Sequence, residues 1–259
     1  MAAILIDIDG VLHVSQEPIV GATGAVRRLR EAGHRLRFLT NNTVCPRARL
    51  TEELRQMGFD ISEEEVQTTP RAAARALAGR RVLALTMSAI VEDLEGIELV
   101  GEGADAVLLG GADETEETGR VFSYMNLARA FAELEAGADL FSLHKNRWWQ
   151  TKHAPLLDSG AFVAGLEYAS GTPATVLGKP SSAFFAAALE VLDADPGQAW
   201  MVGDDVESDT RGAQLHGIKT VLVRTGKFRP DAFERSGVRP DVLLSSIADL
   251  PEWIENHPL

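Results

Sequence analysis

The sequence predicts an α/β fold built on a parallel sheet, and two observations carry that prediction. Nine short apolar runs, at residues 4–8, 36–39, 82–85, 106–109, 140–143, 175–177, 200–202, 220–223 and 242–244, have the length of strands. Between them lie stretches with apolar residues three and four apart, at 24–31, 47–57, 120–135, 181–192, 207–216 and 247–256, the spacing of helices with one buried face. Strand followed by helix, repeated, argues for parallel βαβ units.

Several of these runs end in small or polar residues. Run 4–8 ends in Asp7-Ile8-Asp9-Gly10, run 36–39 leads into Thr40-Asn41, run 175–177 into Gly178-Lys179 and run 200–202 into Gly203-Asp204. Ligands of open α/β sheets sit beyond the carboxyl ends of strands, so these four groups are expected to converge on one crevice. The segment 70–176 has its own strands and helices but no comparable acidic or lysine-bearing strand end. It is expected to be an inserted second domain, which leaves residues 1–69 and 177–259 as a split first domain. The two linkers then lie side by side and give the pair a hinge. The Ala-rich runs 71–78 and 183–189 are ordinary helix formers. Gly101-x-Gly103-x-x-Ala106 matches a dinucleotide fingerprint only superficially, because residues 106–109 read as a strand where that motif needs a helix.

Composition narrows the function classes. A chain of 259 residues, 45% hydrophobic and 24% charged, is a soluble globular protein and neither disordered nor fibrous. A net charge of −13 argues against nucleic acid or an anionic membrane as a partner. Cys45 is the single cysteine, so internal disulfides and thiolate metal clusters are excluded and a reducing compartment fits. No stretch approaches the roughly 18 apolar residues of a membrane span. The apolar start is interrupted by Asp7 and Asp9, so no secretory signal is expected and the composition suggests a cytoplasmic protein.

The strand ends supply the candidate chemistry. Asp7 and Asp9 point the same way if strand alternation holds, and two carboxylates so close repel unless a cation or a proton sits between them. The pair is a natural Mg²⁺ site, and one ionised Asp beside one protonated Asp offers a nucleophile toward phosphorus and a proton donor to a departing alkoxide. Taken alone, the tetrapeptide is more simply a helix or turn cap. Gly203-Asp204-Asp205 with Asp209 is a second acidic group. Mg²⁺ takes one or two protein carboxylates, so Asp204 is expected to touch the metal while Asp205 and Asp209 stand behind it. Asp205 and Asp209 equally suit the positive end of a helix. Thr40 and Asn41, ahead of a helix opened by Pro46, offer a hydroxyl, an amide and backbone N–H groups to a phosphoryl oxygen, or a plain N-cap. Lys179 can neutralise an ionised Asp and a phosphoryl group together. It belongs to no Walker loop, since Gly171 is seven residues before Gly178 and Pro180 replaces Ser or Thr. The six histidines are scattered without ligand spacing, so surface or packing roles are expected of them.

Together, Asp7-x-Asp9-Gly10, Thr40-Asn41, Lys179 and Gly203-Asp204-Asp205 resemble the four motifs of the haloacid dehalogenase (HAD) superfamily. The large insertion between the Thr and Lys motifs resembles the C2 cap of its class IIA, NagD-like branch. The likeness covers nearly the whole chain. It implies a doubly wound, Rossmann-like core with an inserted α/β C2-type cap, and a Mg²⁺-dependent phosphatase working through an aspartyl-phosphate. Asp7 would attack, Asp9 would serve as general acid and then base, and Thr40, Asn41 and Lys179 would bind the phosphoryl oxygens. The metal would be held by Asp7, the backbone carbonyl of Asp9, and Asp204. The cap would act as a lid, its loop Asn146-Arg147-Trp148-Trp149 reading the leaving group, although the Trp pair also suits packing in the cap core. The substrate expected is a small phosphorylated metabolite, and a cap of this branch can also mediate formation of a homodimer, which leaves the oligomeric state open. A phosphomutase of the same fold and a catalytically idle phosphate-binding regulator are the alternatives; phosphate release without an added acceptor separates them.

Overall fold

Ala3–Asp7 is buried along its whole length, as a strand covered on both faces of a sheet must be. It pairs in parallel with Arg35–Thr40 on one side and Ala199–Gly203 on the other. This computed structural model describes residues 1–150 and 154–257; at 149 and 150 the description stops at the backbone. The six-stranded sheet runs Val242–Leu244, Lys219–Val223, Ala199–Gly203, Ala3–Asp7, Arg35–Thr40, Val66–Thr68. Counted by appearance in the chain, that order is six, five, four, one, two, three, so the winding reverses between the first and fourth strands, Ala3–Asp7 and Ala199–Gly203. A doubly wound sheet opens its ligand crevice at the carboxyl ends of the strands at such a reversal. The register pairs Ile6 with Val202, so Asp7 and Gly203 end level and Asp204 follows at once.

The chain divides into two compact units. One comprises Met1–Thr40, Ala48–Gln67 and Lys179–Leu259, the other Asn41–Arg47 and Thr68–Gly178. The short stretch directly after Thr40 thus groups with the insertion, while Lys179 begins the return to the first unit.

The second unit has its own five-stranded parallel sheet, ordered Thr175–Val176, Asp139–Ser142, Ala106–Leu109, Arg81–Leu85, Glu98–Leu99. Alternation along its strands sends Leu83, Leu85, Val107 and Leu109 into a core with Ala130, Leu134, Val163 and Leu166. Val82, Ala106 and Leu108 face the opposite core, with Ala73, Leu77, Ile90 and Leu94. Both faces are therefore covered. Trp148–Gln150 and Pro155–Leu157 form a separate antiparallel pair in the same unit.

The expected strands form within a residue or two of their predicted ends. Three helices differ. The single helix expected over 120–135 is broken into Glu116–Val121 and Tyr124–Glu135, because Ser123 caps the second by accepting from the Asn126 N–H, and Asn126 Nδ2 donates to the Arg120 and Val121 carbonyls left open by the first. The helix expected over 207–216 begins as a π turn, Val206–Arg211, before Gly212–Leu215. The one expected over 247–256 begins as a tight turn, Ile247–Asp249, closed by a Ser246–Asp249 capping box. The helix Gly160–Ser170 gave no periodic signal: its sequence is apolar on nearly every side. Gly103 lies in a loop and Ala106 opens a strand, so the superficial dinucleotide motif has no helix to end on. Among the described residues no helix is long and apolar enough to cross a membrane.

Candidate active site

The site is built at the reversal of the six-stranded sheet. Asp7 is the last residue of its strand, and its Oδ1 accepts from its neighbour's amide, Ile8 N–H at 2.8 Å, and from Lys179 Nζ at 2.7 Å. Lys179 Nζ stands equally 2.7 Å from Asp209 Oδ1. Asp209 Oδ2 accepts from the Asp205 N–H at 3.1 Å, so Asp209 ties the lysine to the turn that follows Ala199–Gly203. The π turn makes this possible. It directs Asp209 back over the strand end, against Gly203, where any larger residue would strike the Asp209 side chain.

Asp204 is 1% exposed. Its Oδ2 accepts from the Lys227 N–H at 2.6 Å, while its Oδ1 has no hydrogen-bond partner among the described residues. Gly10 and Gly226, both at positive φ (85° and 57°), press their α-carbons around this carboxylate, and a β-carbon on either would run into it. Thr225 Oγ1 donates to the Gly10 carbonyl and joins the two loops. Asp7, Asp204 and Asp209 offer carboxylate oxygens that lie within 4.8 Å of one another.

The electrostatics follow from crowding and burial. Desolvation, opposed by Lys179 and reinforced by Asp204, lifts the Asp7 carboxyl to about 6. Desolvation and the Asp209 charge lift Asp204 to about 7. Desolvation and the Asp7 charge lift Asp209 to about 7. Burial works against the Lys179 ammonium, but Asp209 and Asp7 outweigh it and hold its pKa above the usual lysine range. Burial likewise opposes Lys227, and the charges of Asp7, Asp205, Asp204 and Asp209 raise it. The cluster carries more negative charge than Lys179 alone balances, which is the setting that favours a hard divalent cation.

Asp9 lies at the edge of this group, partly exposed, with Oδ2 accepting from Thr40 Oγ1 at 3.1 Å. Thr40 is wholly buried at the end of its strand. Asp205 turns its Oδ1 to the Glu207 and Ser208 N–H groups and serves as the cap of the π turn. Asp7, Asp9, Thr40, Lys179, Asp204, Asp205 and Asp209 therefore all belong to one unit and one end of its sheet. Asn41 falls in the second unit, beside Gly178, whose missing side chain lets the backbone pass Asn41, Thr69 and the Leu143 carbonyl. Asn146, Arg147 and Trp148 lie at the start of the antiparallel pair in that unit. Trp148 is 56% exposed, so it is not packed in the cap core. The side chain of Trp149, and His153, lie outside the described residues. Gly226 and Lys227 lie against Asp204, and His13 lies near Asp9; the sequence assigns the first two no chemistry of their own and His13 only a surface or packing role.

Family models place this arrangement. Residues 4–100 match the model described as haloacid dehalogenase-like hydrolase, and residues 176–250 one described as HAD-hydrolase-like. The chain is 38% identical over 255 residues to phospholysine phosphohistidine inorganic pyrophosphate phosphatase of Xenopus laevis, covering 95% of this chain and 92% of the relative. This chain belongs to the haloacid dehalogenase-like hydrolase family. Solved structures agree: a p-nitrophenyl phosphatase from Archaeoglobus fulgidus superposes with a TM-score of 0.89 at 27% identity, covering 97% of this chain and 98% of that one. A glycerol phosphate phosphatase from Mycobacterium tuberculosis, in complex with magnesium, gives 0.82 at 27% identity, covering 96% of this chain and 76% of that one. The protein is an HAD phosphatase of the class IIA branch, and the α/β architecture expected from the sequence is the one found.

Proposed function

We propose that this HAD hydrolase is a Mg²⁺-dependent phosphatase of small phosphorylated metabolites that works through an aspartyl-phosphate on Asp7. The observation that carries the reading is Asp204 Oδ1, a buried carboxylate oxygen with no hydrogen-bond partner among the described residues, set beside Asp7. A buried unpaired carboxylate oxygen is costly, and a hard cation is the partner its chemistry fits. Asp7, the main-chain carbonyl of Asp9, and Asp204 would hold Mg²⁺. Asp209 is committed to Lys179 and the Asp205 N–H and stands behind the ligands. When bound, the ion supplies charge neutralisation to the phosphoryl group.

The residues then divide the work. The hydrogen bonds of Ile8 and Lys179 fix the rotation of the Asp7 carboxylate, so one oxygen is presented to phosphorus. Lys179 and Thr40 meet the phosphoryl oxygens, with Asn41 carried on the adjoining segment. Asp9 gives its proton to the leaving oxygen as the ester bond breaks, and takes one from the water that hydrolyses the acyl phosphate on Asp7. Phosphate monoesters are among the slowest hydrolyses in water, with enzymatic accelerations up to about 10²¹, so no one of these groups suffices alone. In this reading Asn146, Arg147, Trp148 and Trp149 read the leaving group.

The test is phosphate release from a panel of phosphorylated metabolites, with and without Mg²⁺ and without any added acceptor. Release that requires Mg²⁺ supports the reading. Transfer only to an added hydroxyl, or no turnover of any compound, contradicts it.

A further inference from the structure

We propose that His13 is a positioning residue for Asp9, holding the acid's carboxyl group in the rotation that delivers its proton. This rests on the assignment of Asp9 as proton donor made above.

The local chain is built to place that imidazole. His13–Val14 pairs with Glu17–Pro18 in a hairpin closed by Ser15 and Gln16, both at positive φ (50° and 64°) although neither is glycine. The Gly10 N–H donates to the His13 carbonyl at 2.8 Å, and the Ile19 N–H to the Leu12 carbonyl at 2.9 Å. The loop leaving Asp9 is thereby folded back on itself, and His13 returns alongside the acid. Its ring is buried, with 7% of the residue exposed. Neither ring nitrogen has a hydrogen-bond partner among the described residues. A buried polar group without a partner costs stability, so a protein keeps one where it has a use.

Nε2 faces the carboxyl group of Asp9, 3.8 Å from Oδ1. That is too long for a hydrogen bond as it stands, and a small rotation of either side chain closes it. Asp9 Oδ2 is already held by Thr40 Oγ1. The carboxyl group is therefore bracketed, Thr40 on one oxygen and His13 toward the other, while 48% of its side chain stays open for substrate. A neutral imidazole with its proton on Nε2 is sufficient. As the P–O bond to the leaving group breaks and the bond from Asp7 to phosphorus forms, the Asp9 proton passes to the departing oxygen, and the new carboxylate accepts a hydrogen bond from His13. When water attacks phosphorus and releases Asp7, its proton returns to Asp9. His13 keeps its own proton throughout, acting on the angle and stability of the Asp9 carboxylate rather than on the substrate.

Leaving-group acidity separates this role from a structural one. Phenyl phosphate needs a proton delivered to its departing oxygen; 4-nitrophenyl phosphate, with a far better leaving group of similar shape, hardly does. The full chain with Mg²⁺ is assayed for kcat/KM on both compounds as wild type, H13L, H13Q and D9N. H13L is expected to lose at least tenfold more on phenyl phosphate than on 4-nitrophenyl phosphate. H13Q, which keeps an N–H donor near the place of Nε2, is expected to recover most of that difference. D9N is expected to show the same skew, larger. Equal losses on both compounds in H13L, or no recovery in H13Q, while D9N keeps its skew, overturns the role of His13 alone. Absence of skew in D9N overturns Asp9 as proton donor and this inference with it.

Discussion

Lys179 Nζ lies 2.7 Å from Asp209 Oδ1, and both side chains are almost wholly buried. The lysine meets Asp7 at the same distance on its other side, so Asp209 acts as the strut that holds the cation against the nucleophile. The partners reach this point from the two ends of a stretch that includes a whole strand and helix, and the π turn Val206–Arg211 gives Asp209 its reach.

Removing the cation strands two carboxylates. Lys179→Met is expected to lower activity by at least about 10³-fold and to cost roughly 3–5 kcal/mol of stability at pH 8, the usual effect of breaking a buried ion pair from one side. Because burial lifts Asp7 to about 6 and Asp209 to about 7, both take up protons in acid and the loss shrinks toward pH 5. Urea denaturation at the two pH values measures the difference.

Asp204 and Asp209 are expected to part ways in metal titrations. Asp204→Asn should raise the Mg²⁺ concentration for half-maximal activity by about 10- to 100-fold, whereas Asp209→Asn should lower kcat and leave that concentration within about threefold of wild type. If Asp209→Asn shifts it as far as Asp204→Asn does, Asp209 is itself a ligand.

Gly226→Ala tests the cage around Asp204. A β-carbon there meets the carboxylate, and φ of 57° already disfavours a side chain. The expected result is a loss of about 1–3 kcal/mol in stability together with a raised Mg²⁺ requirement. A stability loss with unchanged Mg²⁺ response would show the glycine to serve the turn alone.

The raised carboxyl groups also set a pH dependence. Asp7, Asp204 and Asp209 bind protons more tightly in the folded chain than at their ordinary value of 3.8. The stability this gives is complete below about pH 4 and is lost as pH rises through 6 to 7. Without metal, the cluster is therefore expected to lower Tm between pH 5 and pH 8, and excess Mg²⁺ to raise Tm more at pH 8 than at pH 5. Thermal denaturation of wild type and Asp204→Asn, with and without Mg²⁺, checks the sign; the variant should show the smaller Mg²⁺ response.

Much of this was legible in the sequence because strand ends announce themselves. Asp7, Thr40, Lys179 and Asp204 each follow a short apolar run, and the rule that ligands gather at carboxyl ends brings those runs together without coordinates. What stayed hidden depended on approach in space. Nothing in the spacing of Lys179 and Asp209 says they pair, and Asp205, equal to its neighbour in type, turns away to cap a turn. Gly10 belongs to the first acidic motif and Gly226 follows the run 220–223, but nothing in either place says that both close on Asp204. His13 stands on a strand of two residues, too short for any pattern to show which way its ring faces. The helix Gly160–Ser170 was lost for the opposite reason, since apolar residues all round leave no period to read.

The central claim is that phosphorus passes through Asp7. Acid quenching of the enzyme during turnover with Mg²⁺ and 4-nitrophenyl phosphate, followed by mass spectrometry of its peptides, tests it most directly. The account predicts a phosphoryl group on the peptide bearing Asp7, absent from a folded Asp7→Asn variant that has lost turnover. A phosphoryl group on another residue, or undiminished turnover by Asp7→Asn, would contradict it.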